Sequence, residues 1–285
     1  MKNPVSILMY HQVGRFTKIP PGHHASLCLE SRFTAQLALL RILGYKIISL
    51  AEACDGIFDG ASLPPRSAVL TFDDGYQNFA DVAWPILRRH GLPATVYLVS
   101  AHMGQRAHWL GDDFDAATLM DAATVRRLAS DKTLAFGSHT RTHPRLTRLS
   151  ASEKRKEIFE SKAELEALLQ TPIRDFCYPF GDYDEAARDM AREAGYATAV
   201  SCVRGAANTS VNRHELTRKA VSYGDNLVGF FWKLVMKNRR KDISRYSPAH
   251  VLERGRRGES TTPPFGHPST GGEFKNGRHP SAGGE

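Results

Sequence analysis

Short, nearly unbroken apolar runs recur along this chain, separated by stretches with helical spacing. The runs Val5–Tyr10, Tyr45–Leu50, Ala68–Phe72, Ala94–Val99, Thr133–Gly137, Asp175–Tyr178 and Tyr196–Ser201 read as buried strands. Leu216–Val221 reads as a last, short extended segment. Between them, Ser31 is a candidate cap for a helix carrying Phe33, Leu37, Leu40 and Leu43, with Gly44 as its stop. Tyr76–His90 has helical character with Pro85 as a break, and Thr124–Ser130 is a short helix. Ser150–Gln170 is the clearest helix: Ser150 and Glu153 form a capping-box pattern, and Ile158, Leu165, Leu168 and Leu169 line one stripe. Asp184–Ala194 is a helix ending at Gly195. Residues 14–29, 55–66 and 101–120 read as loops or irregular inserts. Strands alternating with helices predict an α/β fold with a parallel sheet. About seven such units fit a barrel better than two domains, with an open doubly wound sheet as the alternative.

The pattern changes beyond Asn226. Leu227–Met236 is apolar and aromatic, and Lys237, Arg239, Arg240 and Lys241 follow it. This stretch reads as a final helix packed on the body, or as an interfacial helix making peripheral contact with an anionic membrane through residues 227–241. From about Tyr246 onward Gly, Pro, Ser and charge dominate, and His-Pro-Ser-x-Gly-Gly-Glu occurs twice, at 267–273 and 279–285. The expected organisation is a catalytic domain over 1–226, a basic aromatic helical extension over 227–245 and a disordered tail over 246–285.

Composition narrows the classes. A chain of 285 residues with 41% hydrophobic and 24% charged residues can bury a large core. Of its net charge of +8, residues from Lys233 onward supply +6, so the body has no basic excess pointing to nucleic acid. The basic tail also lacks an aromatic–basic readout motif, so no nucleic-acid partner is expected. Cys28, Cys54, Cys177 and Cys202 are scattered without a Cys-x-x-Cys pair, which argues for buried thiols over disulfides or a cysteine zinc site. The apolar run Val5–Tyr10 is too short for a signal sequence, and no stretch nears 20 apolar residues. A cytoplasmic protein, peripheral to a membrane, is the expectation.

The candidate chemistry sits where the predicted strands end. Thr71-Phe72-Asp73-Asp74-Gly75-Tyr76 places two carboxylates at the end of the third strand, followed by a glycine that lets the chain turn. Adjacent residues on an extended chain point to opposite sides, so one carboxylate can hold a cation while the other faces a water. His11 follows the first strand, His139 and His143 the fifth, and Pro179-Phe180-Gly181 the sixth. In a parallel barrel all these ends open on one face, where active sites sit. Two imidazoles and one carboxylate give a divalent ion three protein ligands and leave a position for water.

These motifs resemble the NodB-type polysaccharide deacetylases, carbohydrate esterase family 4, over roughly residues 4–222. Thr71–Tyr76 is similar to the first motif, Ser138-His139-Thr140-Arg141-Thr142-His143-Pro144 to the second, and Phe176–Gly181 to the third. Leu8-Met9-Tyr10-His11 resembles the permuted branch, which acts on poly-N-acetylglucosamine-type exopolysaccharides. The resemblance implies a distorted (β/α) barrel of about seven parallel strands and removal of N-acetyl groups from an N-acetylated saccharide. It implies that Asp74, His139 and His143 hold a divalent metal, Zn²⁺ in preference to Co²⁺ or Ni²⁺. It assigns Asp73 as general base, His11 as general acid and the Phe180 N–H to the oxyanion. The family's third motif carries an Arg where this chain has Cys177. Arg218, in a segment resembling Leu-Pro-Arg of the permuted branch, is the candidate to pair with Asp73 in its place. Hydrolysis of another amide, with residues 101–120 and Trp109 closing a small pocket, is a second reading. A catalytically silent carbohydrate-binding protein is a third, disfavoured by the presence of a base, an acid and a metal set together.

Overall fold

The computed structural model describes residues 4–16, 23–110, 117–210 and 212–240. In chain order the elements are β1 (Val5–Tyr10), β2 (Gln12–Gly14), β3 (Leu27–Leu29), α1 (Glu30–Ile42), β4 (Lys46–Ile47), α2 (Leu50–Phe58) and β5 (Ser67–Phe72). A π-helical turn (Phe79–Ala83) leads into α3 (Trp84–Arg89), followed by β6 (Ala94–Leu98), α4 (Ala122–Ala129), β7 (Leu134–Ser138) and α5 (Ala151–Leu169). The chain continues through β8 (Asp175–Cys177), α6 (Glu185–Glu193), β9 (Thr198–Arg204), β10 (Leu216–Ala220) and α7 (Leu227–Met236). The expected tail, 246–285, and the end of the helical extension, 241–245, lie outside the described residues.

Seven parallel strands close a ring in the order β1, β10, β9, β8, β7, β6, β5, with β5 pairing back to β1. The closing pair is the longest, running from Val5 opposite Ser67 to Tyr10 opposite Phe72. Both strands are buried along their whole length, as a strand covered on both faces must be. The period of two then sorts side chains. Leu8, Tyr10, Ala68, Leu70 and Phe72 join the layer between sheet and helices. Val5, Ile7, Val69, Tyr97, Cys177, Val200 and Leu216 form a separate inner cluster, together with Leu50, Ala53 and Cys54 of α2. Helix α2 therefore packs against the inner side chains near the amino ends of the strands. Gly137 makes room inside the ring: a Cβ there would lie 2.6 Å from the Tyr97 ring and 2.7 Å from the Asp175 carbonyl.

The seven strands are not quite those expected. Tyr45–Leu50 gives only the two-residue β4, paired with β5 outside the ring. Leu216–Ala220 takes the place in the ring instead. The reason is Ser49, which caps α2: the Glu52 N–H donates to Ser49 Oγ at 3.2 Å and the Ser49 N–H donates to Glu52 Oε2 at 2.8 Å. That capping box turns the chain into a helix across the start of the expected 55–66 loop. Ser31 is not the cap of α1; the cap position is Leu29, without a side-chain hydrogen bond. Within the expected 14–29 loop, Gly14 ends β2, which pairs in parallel with β3. The expected 76–90 helix opens with a π turn because Pro85, in the first turn of α3, has no N–H to continue a regular ladder. Cys28, Cys54 and Cys177 are buried free thiols, and Cys202 is half-buried.

Phe33 of α1 sits edge-on to Tyr10 and Phe72, with ring centroids 5.3 and 5.9 Å away, and joins that helix to the closing strand pair. Phe33→Ala is expected to cost about 3–5 kcal/mol, read as a lower urea midpoint with an unchanged denaturant slope.

Candidate active site

Strand β5 runs straight into the double aspartate. Asp73 keeps the inward alternation of Ser67, Val69 and Thr71, and its N–H donates to the Tyr10 carbonyl at 2.9 Å. Inside the ring it meets Arg218 of β10. Arg218 Nη1 donates to Asp73 Oδ1 at 2.6 Å and Nη2 donates to Oδ2 at 2.7 Å. The remaining guanidinium donors reach Ser201 O, Thr71 Oγ1 and Cys177 Sγ at 2.9, 3.1 and 3.2 Å. All five N–H groups thus have acceptors, which only the planar fork of an arginine could satisfy. Burial pushes the Asp73 carboxyl up, but the Arg218 charge and hydrogen bonds outweigh it and hold the pKa below the usual carboxylate value. Burial pushes the Cys177 thiol well up, so it stands beside Asp73 Oδ2, 3.5 Å away, as a neutral donor.

Asp74 turns the other way. Its φ is 72°, in the left-handed region, and Gly75 follows at 76°. A side chain at Gly75 would lie 2.7 Å from Leu98 Cδ2, so the turn also needs the missing Cβ. Asp74 Oδ1 lies 3.3 Å from His139 Nε2 and 3.2 Å from His143 Nε2. His139 Nδ1–H donates to the Cys177 carbonyl at 2.8 Å, which leaves Nε2 with its lone pair toward Asp74. Asp74 Oδ1 is buried with no hydrogen-bond partner. A carboxylate oxygen and imidazole nitrogens converging within 4.8 Å in a buried place repel one another unless a cation or proton lies among them. The donor set of two imidazoles and one carboxylate fits a divalent metal.

His11, one residue past β1, comes within 4.0 Å of Asp73 Oδ2 through Nε2 and is about one-fifth exposed. Phe180 lies beside His143 with ring centroids 4.6 Å apart, and its φ is 58°. Thus all seven residues singled out in the sequence (His11, Asp73, Asp74, His139, His143, Phe180 and Arg218) share the carboxyl-terminal end of the ring.

Other participants were not legible, or only partly so. Glu157 of α5 accepts the N–H groups of Arg141 and Thr142, each at 2.8 Å, and the Thr142 hydroxyl at 2.6 Å, bracing the turn between the two histidines. In sequence it is one of many charged residues on a long helix. Trp109 stacks on His143 with centroids 4.1 Å apart, and His102 and His108 gather beside it. In sequence, Trp109 figures only in the reading in which residues 101–120 close a small pocket, and the spacing of His102 and His108 demands no role.

A closed parallel barrel whose strand ends gather a buried carboxylate, a histidine at the rim and a three-ligand cluster belongs, by fold and site together, to the (β/α)-barrel hydrolases. The polysaccharide deacetylase family model matches residues 60–199. The match covers just under half of the chain, which is similar to this polysaccharide deacetylase family. It is 25% identical over 220 residues to YxkH of Bacillus subtilis (strain 168), provisionally named a polysaccharide deacetylase, covering 76% of this chain and 71% of that one. It is 26% identical over 213 residues to the poly-beta-1,6-N-acetyl-D-glucosamine N-deacetylase of Escherichia coli (strain K12), covering 63% of this chain but 31% of that protein. The Streptococcus pyogenes deacetylase PplD, solved in complex with acetate, superposes with a TM-score of 0.69 at 23% identity over 82% of this chain and 99% of that one. His11 and Arg218 both lie outside the matched stretch 60–199, beside β1 and on β10, two strands that pair with each other.

Breaking the buried pair should be costly. Arg218→Met is expected to destabilise the fold by about 3–5 kcal/mol, and adding Asp73→Asn to it should recover part of that loss in a double-mutant cycle of urea unfolding. Glu157→Gln is expected to weaken Zn²⁺ binding by roughly tenfold or more, measured by competition with a chelating dye.

Proposed function

We infer that this chain is a metal-dependent hydrolase that removes N-acetyl groups from the amino sugars of a polysaccharide, releasing acetate. The observation that carries the reading is the division of labour between neighbours. Asp73 is locked to Arg218, while Asp74 faces two imidazoles on the other side. Similarity to the polysaccharide deacetylase family and the substrate named for the Escherichia coli relative support the choice of an N-acetylated sugar.

Asp74, His139 and His143 would hold the cation, with Zn²⁺ favoured by a two-histidine, one-carboxylate set and Co²⁺ or Ni²⁺ as substitutes. A divalent ion there supplies polarisation of the acetamide carbonyl and acidification of water. The chain's own residues do the rest. Asp73, kept ionised by Arg218, accepts the proton of the attacking water as its oxygen bonds to the amide carbon. The Phe180 N–H stabilises the negative charge that develops on the carbonyl oxygen. His11 donates a proton to the amide nitrogen as the carbon–nitrogen bond breaks, because an amine leaves poorly unless protonated. Arg218 positions the base and keeps its second oxygen from turning away. Trp109, stacked on His143, offers an apolar wall beside the reacting carbon.

The test is acetate release from N-acetylglucosamine oligomers by metal-reconstituted protein. Asp73→Asn should lower kcat by about 10²–10⁴-fold while retaining the metal. Chelation should abolish turnover, and Zn²⁺, Co²⁺ or Ni²⁺ should restore it. Bound metal with no acetate from any N-acetylated sugar would overturn the reading.

A further inference from the structure

Helix α7 buries one side and leaves the other bare. Phe230 and Leu234 are buried against the barrel. Lys219 of β10, itself buried, donates to the Leu234 carbonyl at 2.8 Å and to Asn238 Oδ1 at 2.6 Å. Lys233 donates to the Ala220 carbonyl at 2.8 Å and pairs with Asp225. The helix is therefore fixed in place, and its outward face is not a surface waiting to fold back.

That outward face is apolar. Among the described residues, eight large hydrophobic side chains are exposed, and six of them are on this one helix: Leu227, Val228, Phe231, Trp232, Val235 and Met236. They recur at i, i+1, i+4, i+5, i+8 and i+9, a continuous stripe along half the helix surface. Val228 is 75% exposed and Trp232 54%. A patch of this kind marks an interaction surface.

Charge selects the partner. Residues 227–241 contain Lys233, Lys237, Arg239, Arg240 and Lys241 and no Asp or Glu. Lys233 and Arg240 are paired with Asp225 and Glu215, whereas Lys237 and Arg239 make no ion pair among the described residues. Two copies meeting through this face would bring like charges together. The chain's own residues 245–285 also carry more Lys and Arg than Asp and Glu. An anionic bilayer surface matches both the apolar stripe and the cations beside it. Ten residues of helix span about 15 Å, half the thickness of a hydrocarbon core, so such a helix lies in the interface plane.

We propose that α7 docks this protein on an anionic phospholipid surface, with Val228, Phe231, Trp232 and Val235 entering the headgroup layer and Lys237 and Arg239 meeting lipid phosphates. The helix starts just past the mouth of the barrel: Val221 N–H donates to the Met9 carbonyl and Tyr223 N–H to the His24 carbonyl, at 2.9 and 2.8 Å. This inference stands apart from the reaction, and its readout does not depend on turnover.

The experiment is co-sedimentation of the full chain with vesicles of phosphatidylcholine containing phosphatidylglycerol, beside vesicles of phosphatidylcholine alone. The full chain should sediment with the anionic vesicles at least about tenfold more strongly, and added salt should weaken this. Trp232→Glu should lower binding by about tenfold or more with an unchanged unfolding midpoint, because the side chain is more than half exposed. Lys237→Glu with Arg239→Glu should lower binding to the anionic vesicles alone. Failure of the full chain to sediment with anionic vesicles, or equal binding by Trp232→Glu, refutes the proposal. A dimer in sedimentation velocity that Trp232→Glu dissociates, without vesicle binding, assigns the face to a second copy instead. Binding that appears only after removal of residues 245–285 assigns it to the chain's own tail.

Discussion

The ion pair between Asp73 and Arg218 is the constraint around which the rest of the site is arranged. A carboxylate and a guanidinium inside a barrel each lose several kcal/mol of hydration, and only close, fully satisfied geometry offsets that loss. Here the pair is bidentate and every guanidinium donor of Arg218, on β10, has an acceptor, drawn from β5 and the residue after it, β8 and β9. The pair therefore works as a registration device across the ring. If β10 shifted along β1 by one residue, Arg218 would face the helices and Lys219 the interior. The chemistry and the closure of the barrel depend on the same contact.

The second constraint is backbone strain. Five non-glycine residues have positive φ among the described residues, and four of them (Asp74, Thr140, His143 and Phe180) line the site. Each left-handed residue costs of order 1–3 kcal/mol and persists only where its surroundings enforce it. The enforcement is visible. Glu157 gathers the amides of Arg141 and Thr142, Thr140 Oγ1 accepts the His143 N–H at 3.1 Å, and the Cys177 carbonyl orients the His139 ring. The strain aims the Asp74 carboxylate and both imidazoles at one point. It explains why the three lone pairs stay together although they repel.

Cys177 stands where the resemblance implies an arginine, and this has a local consequence. The thiol is too short and too weak a donor to hold Asp73 alone. Instead Arg218 fills the interior beside it, with its Nη2 3.2 Å from the sulfur and its guanidinium 5.9 Å from the Tyr97 ring centre. The base keeps a cationic partner, supplied from another strand. Around this inner layer the barrel is ordinary: aliphatic and aromatic side chains face the helices, and α2 covers the amino-terminal side.

The sequence by itself determined the alternation of strand and helix, the capping box of α5 and the placement of His11, Asp73, Asp74, His139, His143 and Phe180 at strand ends. Those features are local: an apolar run, a turn glycine and a ligand spacing each leave their mark within a few residues. Arg218 was also within reach, through a segment that resembles Leu-Pro-Arg of the permuted branch. The tertiary structure alone decided which extended segments close the ring. β4 pairs outside it because Ser49 commits the chain to α2, and β10 enters it because Leu216 and Arg218 have a buried interior to fill. It alone decided that Glu157 would brace the histidine turn, that Trp109 would stack on His143, and that α7 would turn its apolar stripe outward. Those outcomes depend on which distant surfaces meet, and on left-handed residues that only a closed framework can hold, neither of which a periodicity or a spacing encodes.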